Sequence, residues 1–161
     1  MLKRDKAGFT LIELMIVIVV LGIVTAIALP SFLSIIEKRR LVGAADTLFA
    51  NLQFAHSEAI KQNRIVQFQF NTDNWCYGVD DDTPVDCDCT SPATCTVSNM
   101  QRVITSSEYK NVTLAVTGFG GTTIDFEPRQ GMPSDDGEFT FTINGQSKKV
   151  NINVVGKIKV D

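Results

Sequence analysis

The chain has 161 residues and carries 15 basic against 18 acidic side chains, a formal charge of −3. That length is room for about one domain, and the acidic balance argues against a protein made to coat nucleic acid. A single histidine, His56, excludes a His-rich metal site, and a Ser-His-Asp hydrolase would have to rest on that one residue.

The first predicted element is apolar. From Phe9 to Leu29 only Thr10, Glu13, Gly22 and Thr25 interrupt the run. As a helix this segment is roughly 31 Å long, about one hydrocarbon thickness. A secretory signal peptide has a small-residue cleavage site after its apolar core, whereas here the small residue, Gly8, precedes it. Lys3, Arg4 and Lys6 also precede it, so the amino end is expected to stay cytoplasmic and the remainder to lie outside the inner membrane. Glu13 does not suit a plain anchor. A carboxylate in a membrane helix costs a few kcal/mol and usually has a partner, yet no basic residue lies near it in the run. The nearest plausible cation is an α-amine, present there only if the chain is cut between Gly8 and Phe9.

The stretch Lys6-Ala7-Gly8-Phe9-Thr10-Leu11-Ile12-Glu13-Leu14 resembles the leader junction of type IV pilins and of the pseudopilins of type II secretion. The resemblance implies that residues 1–8 are a leader and that a prepilin peptidase cuts after Gly8 and N-methylates Phe9. It implies further that Glu13 pairs with the amine of an adjacent subunit, guiding assembly on an inner-membrane platform. Residues 9–29 are then the transmembrane helix.

Pro30 follows, and a proline inside a helix removes a hydrogen bond and clashes one turn back, so a kink is expected near Ala26 to Pro30. The helical pattern resumes at once. Leu41, Ala45, Leu48, Leu52, Ala55 and Ala59 recur at steps of three and four and form one apolar stripe. Residues 30–62 are thus an amphipathic continuation of the helix, which as a whole reaches roughly 80 Å. The small alanines suit packing on a sheet; a coiled-coil dimer is the alternative.

After Asn63 the period becomes two. Val66, Phe68 and Phe70 alternate with polar residues, as do Val112, Leu114 and Val116, then Ile124 and Phe126, then Phe139, Phe141 and Ile143, then Val150, Ile152 and Val154, then Ile158 and Val160. Asn144-Gly145 is a hairpin signal joining the Phe139 and Val150 runs. Short connections favour antiparallel pairing. The expected class is α+β: a long amino-terminal helix packed on an antiparallel β-sheet or small β-sandwich, with residues 63–161 as the extracytoplasmic β domain.

Residues 71–99 break the pattern. They hold Asp73, Asp80, Asp81, Asp82, Asp86, Asp88 and all four cysteines, and read as one strand near Trp75 to Val79 followed by a long exposed loop. Cys76, Cys87, Cys89 and Cys95 suggest two disulfides in an oxidising compartment. One residue between Cys87 and Cys89 makes that pair sterically poor. The choice between Cys76–Cys87 with Cys89–Cys95 and Cys76–Cys89 with Cys87–Cys95 stays open. A four-thiolate zinc site lacks a C-x2-C pair. Asp80-Asp81-Asp82 lacks the spacing of a calcium loop, so no metal or other cofactor is expected.

The globular part narrows the resemblance. Asn51-Leu52-Gln53-Phe54-Ala55, Ser57-Glu58-Ala59-Ile60, Asn63, the turn Phe126-Glu127-Pro128-Arg129-Gln130-Gly131-Met132-Pro133 and the closing Gly156-Lys157-Ile158-Lys159 are similar to the pseudopilin H and FimT/FimU minor-pilin family. The turn has one extra residue before its glycine, and the cysteine loop is not a general family feature. The resemblance implies a low-abundance, non-catalytic subunit that assembles with other pilins or pseudopilins, into a type IV pilus or a type II secretion pseudopilus, and helps to prime the filament. Some FimT-like pilins bind DNA through a terminal G-R-x-R segment. Here Lys157 and Lys159 replace both arginines, and with Lys148 and Lys149 they are the candidate DNA contacts; lysine can touch phosphates but lacks the two-donor fork of arginine. Lysines that deter edge-to-edge aggregation are the alternative. His56, on the helix with no nucleophile beside it in sequence, reads as a packing or surface residue.

Overall fold

The structure is a computed structural model that describes residues 9–73, 75–81, 87–91 and 94–161, with the side chains of residues 28–31 outside that description. The leader residues 1–8, with Gly8 and the lysine and arginine cluster, and Asp82 and Asp86 lie outside the described residues. The chain divides into two compact units, one ending at Glu37 and the other beginning at Lys38.

One helix, α1, spans Leu11–Gln62. It is helical through position 30, but the expected kink there falls on side chains outside the description. In the first unit the apolar side chains face outward: Leu11, Ile12, Leu14, Met15 and the residues after them to Ile27 are all exposed.

In the second unit the stripe read from the sequence is the buried face of α1. Leu41, Ala45, Leu48, Leu52, Ala55 and Ala59 are all buried, with Ala44 beside them. They share one core with inward side chains of the sheets, among them Phe68, Tyr77, Ile124, Phe139 and Val150. Each fully buried leucine contributes about 2 kcal/mol by removal from water.

The strands are β1 (Val66–Asn71), β2 (Cys76–Asp80), β3 (Thr96–Val97), β4 (Met100–Gln101), β5 (Val103–Thr105), β6 (Thr113–Thr117), β7 (Thr123–Phe126), β8 (Gly137–Ile143), β9 (Gln146–Ile152) and β10 (Ile158–Val160). Two four-stranded sheets form, ordered β5-β2-β1-β7 and β10-β9-β8-β6, with β3-β4 as a small ribbon. Every pairing is antiparallel. The inward residues of β1 and β8 meet as aromatics: Phe68 and Phe70 both set an edge against Phe139. Asn144 and Gly145 take φ of 45° and 78°, the type I′ turn that matches the twist of the β8–β9 hairpin.

The region after β2 is an exposed loop only in part: Asp88, Thr90 and Ser91 are exposed, but its cysteines are not. Cys87, Cys89, Cys95 and Val97 are buried, and so are Asp80 and Asp81. Disulfide Cys76–Cys89 fastens it to β2, and Cys87–Cys95 closes the segment on itself. A Cβ on Gly78 would come within 2.6 Å of Cys95 Sγ and 2.8 Å of Cys87 Sγ, so the second disulfide lies where only glycine leaves room. The polar members are satisfied: Thr96 N donates to Asp80 Oδ1 at 3.0 Å and Ser98 N donates to Asp81 Oδ2 at 2.9 Å. Periodicity did not reveal this because covalent links and carboxylate–amide bonds, rather than apolar burial, hold the segment.

Candidate assembly site at the start of the helix

Thr10 stands just before α1 and Glu13 sits in its first turn. Thr10 Oγ1 accepts from Glu13 N at 3.3 Å, and Glu13 Oε2 accepts from Thr10 N and from Thr10 Oγ1, each at 3.4 Å. This is the reciprocal arrangement of a capping box, which satisfies donors that a helix start leaves open. Thr25, the other hydroxyl in the segment, donates to Leu21 O at 2.9 Å. An apolar surround requires such internal partners. Glu13 Oε1 has no partner among the described residues. Within Leu11–Ile27 Glu13 is the sole charged side chain, so one carboxylate lobe is open at the end of an exposed apolar face. Sequence reasoning missed Thr10 as a functional neighbour, although the Thr-x-x-Glu spacing carries the signal.

The lysines singled out from the sequence do not form one surface. Alternation along β9 puts Lys148 on the side of Val150 and Lys149 on the side of Asn151. Lys159 pairs with Asn151 across β10–β9 and so shares the Lys149 side. Lys149 Nζ is 2.8 Å from Glu138 Oε1, and that bond holds the Glu138 carboxyl below its usual range. Lys157 and Lys159 line a cleft of about 480 Å³ together with Asp136 and Glu138.

His56 sits edge-on to Phe126 and against Gly131, where a Cβ would approach its ring to 2.6 Å. It packs the Phe126–Pro133 turn onto α1. At the end of α1, Glu58 accepts from Gln62 at 2.8 Å and from Lys61 at 3.0 Å. These bonds, that from Gln62 foremost, hold its carboxyl below the usual range. Gln62 also donates to Asp81 at 2.8 Å, and Asp81 in turn accepts from Ser98 N in the β3–β4 turn, which ties the helix end to the end of β2 and to that ribbon. No group of three or more His, Cys, Asp or Glu suited to a metal occurs among the described residues.

A model of the family described as "Type II transport protein GspH" matches residues 44–156. The chain belongs to the GspH family. Residues 3–29 match the prokaryotic N-terminal methylation motif. A fimbrial protein, EcpC of Eikenella corrodens, is 51% identical over 41 residues, which is 26% of this chain; the match spans 27% of that protein's length. The type IV minor pilin FimU of Pseudomonas aeruginosa superposes with a TM-score of 0.56 at 20% identity, covering 78% of this chain and 90% of FimU. The minor pseudopilin EpsH of Vibrio cholerae, from the type 2 secretion system, superposes at 0.59 and 12% identity, covering 76% and 96%. These two likenesses establish the pilin fold. The chain is accordingly a GspH-family protein with the fold of the minor pilins. It carries the helix expected to anchor it in a membrane.

Proposed function

We propose that this GspH-family subunit is cut between Gly8 and Phe9 by a prepilin peptidase, N-methylated at Phe9, and inserted from the membrane into a filament, which it helps to prime. Its β domain lies on the periplasmic side before assembly, and an inner-membrane platform drives the transfer. The observation that carries this reading is Glu13: one carboxylate in an exposed apolar helix face, held by Thr10 on one oxygen and open on the other. A neighbouring α-amine would complete it. Lateral packing of such helices removes their apolar surface from lipid and water alike.

The test is incorporation of Glu13→Ala into fibres in a strain that otherwise builds them. Loss of incorporation supports the reading, and normal incorporation overturns it. Mass analysis of the mature chain should find methylated Phe9 as the first residue. Against DNA uptake through Lys148, Lys149, Lys157 and Lys159 stand the Glu138 ion pair and the acids Asp136 and Glu138 that share a cleft with the terminal lysines.

A further inference from the structure

The second unit begins on a run of cations. Lys38, Arg39 and Arg40 follow one another on α1, and successive helix residues point about 100° apart, so the three spread over roughly 200° of its circumference. Gly43 and Thr47 continue the row from Arg39 and Arg40 at steps of three and four. Tyr109 lies along that row: a Cβ on Gly43 would meet its ring at 3.3 Å, and its hydroxyl is 2.7 Å from Thr47 Oγ1. Its neighbour Lys110 is presented on a turn that Val112 N closes by donating to Tyr109 O at 3.1 Å, with Asn111 at φ 67°. Lys110 therefore joins the triplet at one pole of the unit. Lys38, Arg39 and Lys110 are exposed and Arg40 is half-buried. None of the four has an ion pair within 4 Å among the described residues.

We propose that this pole docks on the phosphates of anionic phospholipids and so rests the β domain on the membrane surface until the subunit is drawn into a filament. This rests on the reading of the chain as anchored in a membrane by the apolar segment before it. Three observations select lipid as the occupant. The first is position. Apolar residues continue past Pro30 with Phe32, Leu33, Ile35 and Ile36, and Lys38 follows two residues later, about 3 Å further along a helix. The covalent tether alone delivers the triplet to the layer where hydrocarbon gives way to headgroups. Headgroups encircle a spanning helix, so the triplet meets them whatever its rotation. Lysine and arginine reach such a layer with their stems against apolar surface and their charges in water.

The second observation is charge. The acids nearest in the chain to the four cations are Glu37 and Glu108, and Glu108 already accepts from Thr105 N. Asp46 stands about 10 Å of helix rise beyond Arg39. The pole is thus net positive on a chain of formal charge −3, and an anionic bilayer attracts that end. The third is the chemistry of the donors. Two of the four are guanidinium groups, whose paired N–H donors match phosphate oxygens. Each basic residue beside an anionic bilayer strengthens binding roughly fivefold, and the attraction reaches about 8 Å at physiological salt. Lys157 lies beyond that reach, because Gly156 packs against His56, about 26 Å of helix rise from Arg39.

The test is amine footprinting of the full chain reconstituted in vesicles of phosphatidylcholine alone or with about one third phosphatidylglycerol. A brief pulse of a water-soluble acylating ester is followed by mass analysis of each lysine. The ratio of labelling at Lys110 to labelling at Lys157 is read, so copies facing the vesicle interior drop out. The expected ratio falls at least about threefold in the anionic vesicles and recovers at about 0.5 M salt. It stays high when inorganic phosphate is added to phosphatidylcholine vesicles instead. Lys38→Gln, Arg39→Gln and Arg40→Gln together should abolish the fall, whereas Lys38→Arg, Arg39→Lys and Arg40→Lys together should keep it. An equal ratio in both lipids, a fall that survives the glutamine variant, a fall produced by inorganic phosphate, or protection that needs another filament subunit overturns the proposal. If the chain floats with the vesicles while Lys110 stays fully labelled, lipid docking alone is wrong. If the chain does not enter the vesicles at all, membrane anchoring fails with it.

Discussion

Thr10 and Glu13 hold each other across the first turn of α1, the hydroxyl accepting from the Glu13 amide while the Glu13 carboxylate accepts from the Thr10 amide and hydroxyl. Thr10→Ala should therefore fray the helix start by about 1 kcal/mol, read as faster amide exchange at Leu11 to Glu13 in detergent micelles. Thr10→Ser, which keeps the acceptor, should restore protection. Equal exchange in all three proteins would show that the cap does not act.

Leu48→Ala removes a fully buried side chain from the core face of α1 and should cost roughly 2–5 kcal/mol. Val17→Ala, in the exposed apolar segment, should leave the unfolding midpoint of residues 38–161 untouched. Denaturant titration followed by tryptophan fluorescence reads the difference, since Trp75 is buried and donates to Val112 O at 2.7 Å.

Gly78→Ala should be more damaging than its size suggests. The new methyl meets both sulfurs of Cys87–Cys95, and overpacking a filled site costs about 1–3 kcal/mol. Titration of free thiols after refolding would show a fraction of chains with that disulfide open, whereas Gly121→Ala, with open space around it, should show none.

Glu58 and Glu138 are both held below their usual carboxylate range. A carboxyl with a lower pKa folded than unfolded stabilises fully above the unfolded value and loses that contribution as pH falls through the folded one. Stability should thus be flat at neutral pH and decline below about pH 4.5. Glu58→Gln should flatten part of that acid limb in thermal melts between about pH 3 and pH 6, without changing the slope above it.

DNA supplies a further check. With Lys149 engaged by Glu138 and the terminal lysines beside acids, residues 38–161 should leave duplex DNA unshifted at about 0.15 M salt. A shift that is lost in a Lys157/Lys159 double alanine variant, and that weakens steeply with salt, would instead support DNA binding.

The helix and most strands were legible because each is built on one repeating signal. Leu41 to Ala59 repeat at helical spacing and are buried at every step, and Phe139, Phe141 and Ile143 repeat at two and are buried likewise. The short strands β3, β4 and β5 were not legible, since none of them alternates half-buried with exposed residues as β10 does with Ile158, Lys159 and Val160. The burial of Asp80 and Asp81 contradicts their charge on its face, and bonds from the amides of Thr96 and Ser98 and from the Gln62 side chain answer it. At the candidate assembly site Glu13 stood out as a charge in an apolar run. Thr10 did not, because a threonine costs little in a helix and its meaning lies in a bond to a residue three positions away.

The two disulfides interleave: Cys87 lies between Cys76 and Cys89, and Cys89 lies between Cys87 and Cys95. On the proposed periplasmic placement, oxidation in the order that the thiols emerge would join Cys76 to Cys87 first, a knot-free but wrong ladder. The native weave then demands shuffling, so maturation of this subunit is tied to a cell's isomerase capacity as well as to its oxidant. On the proposed periplasmic placement of the β domain, cells without that proofreading should accumulate chains that are fully oxidised and mispaired.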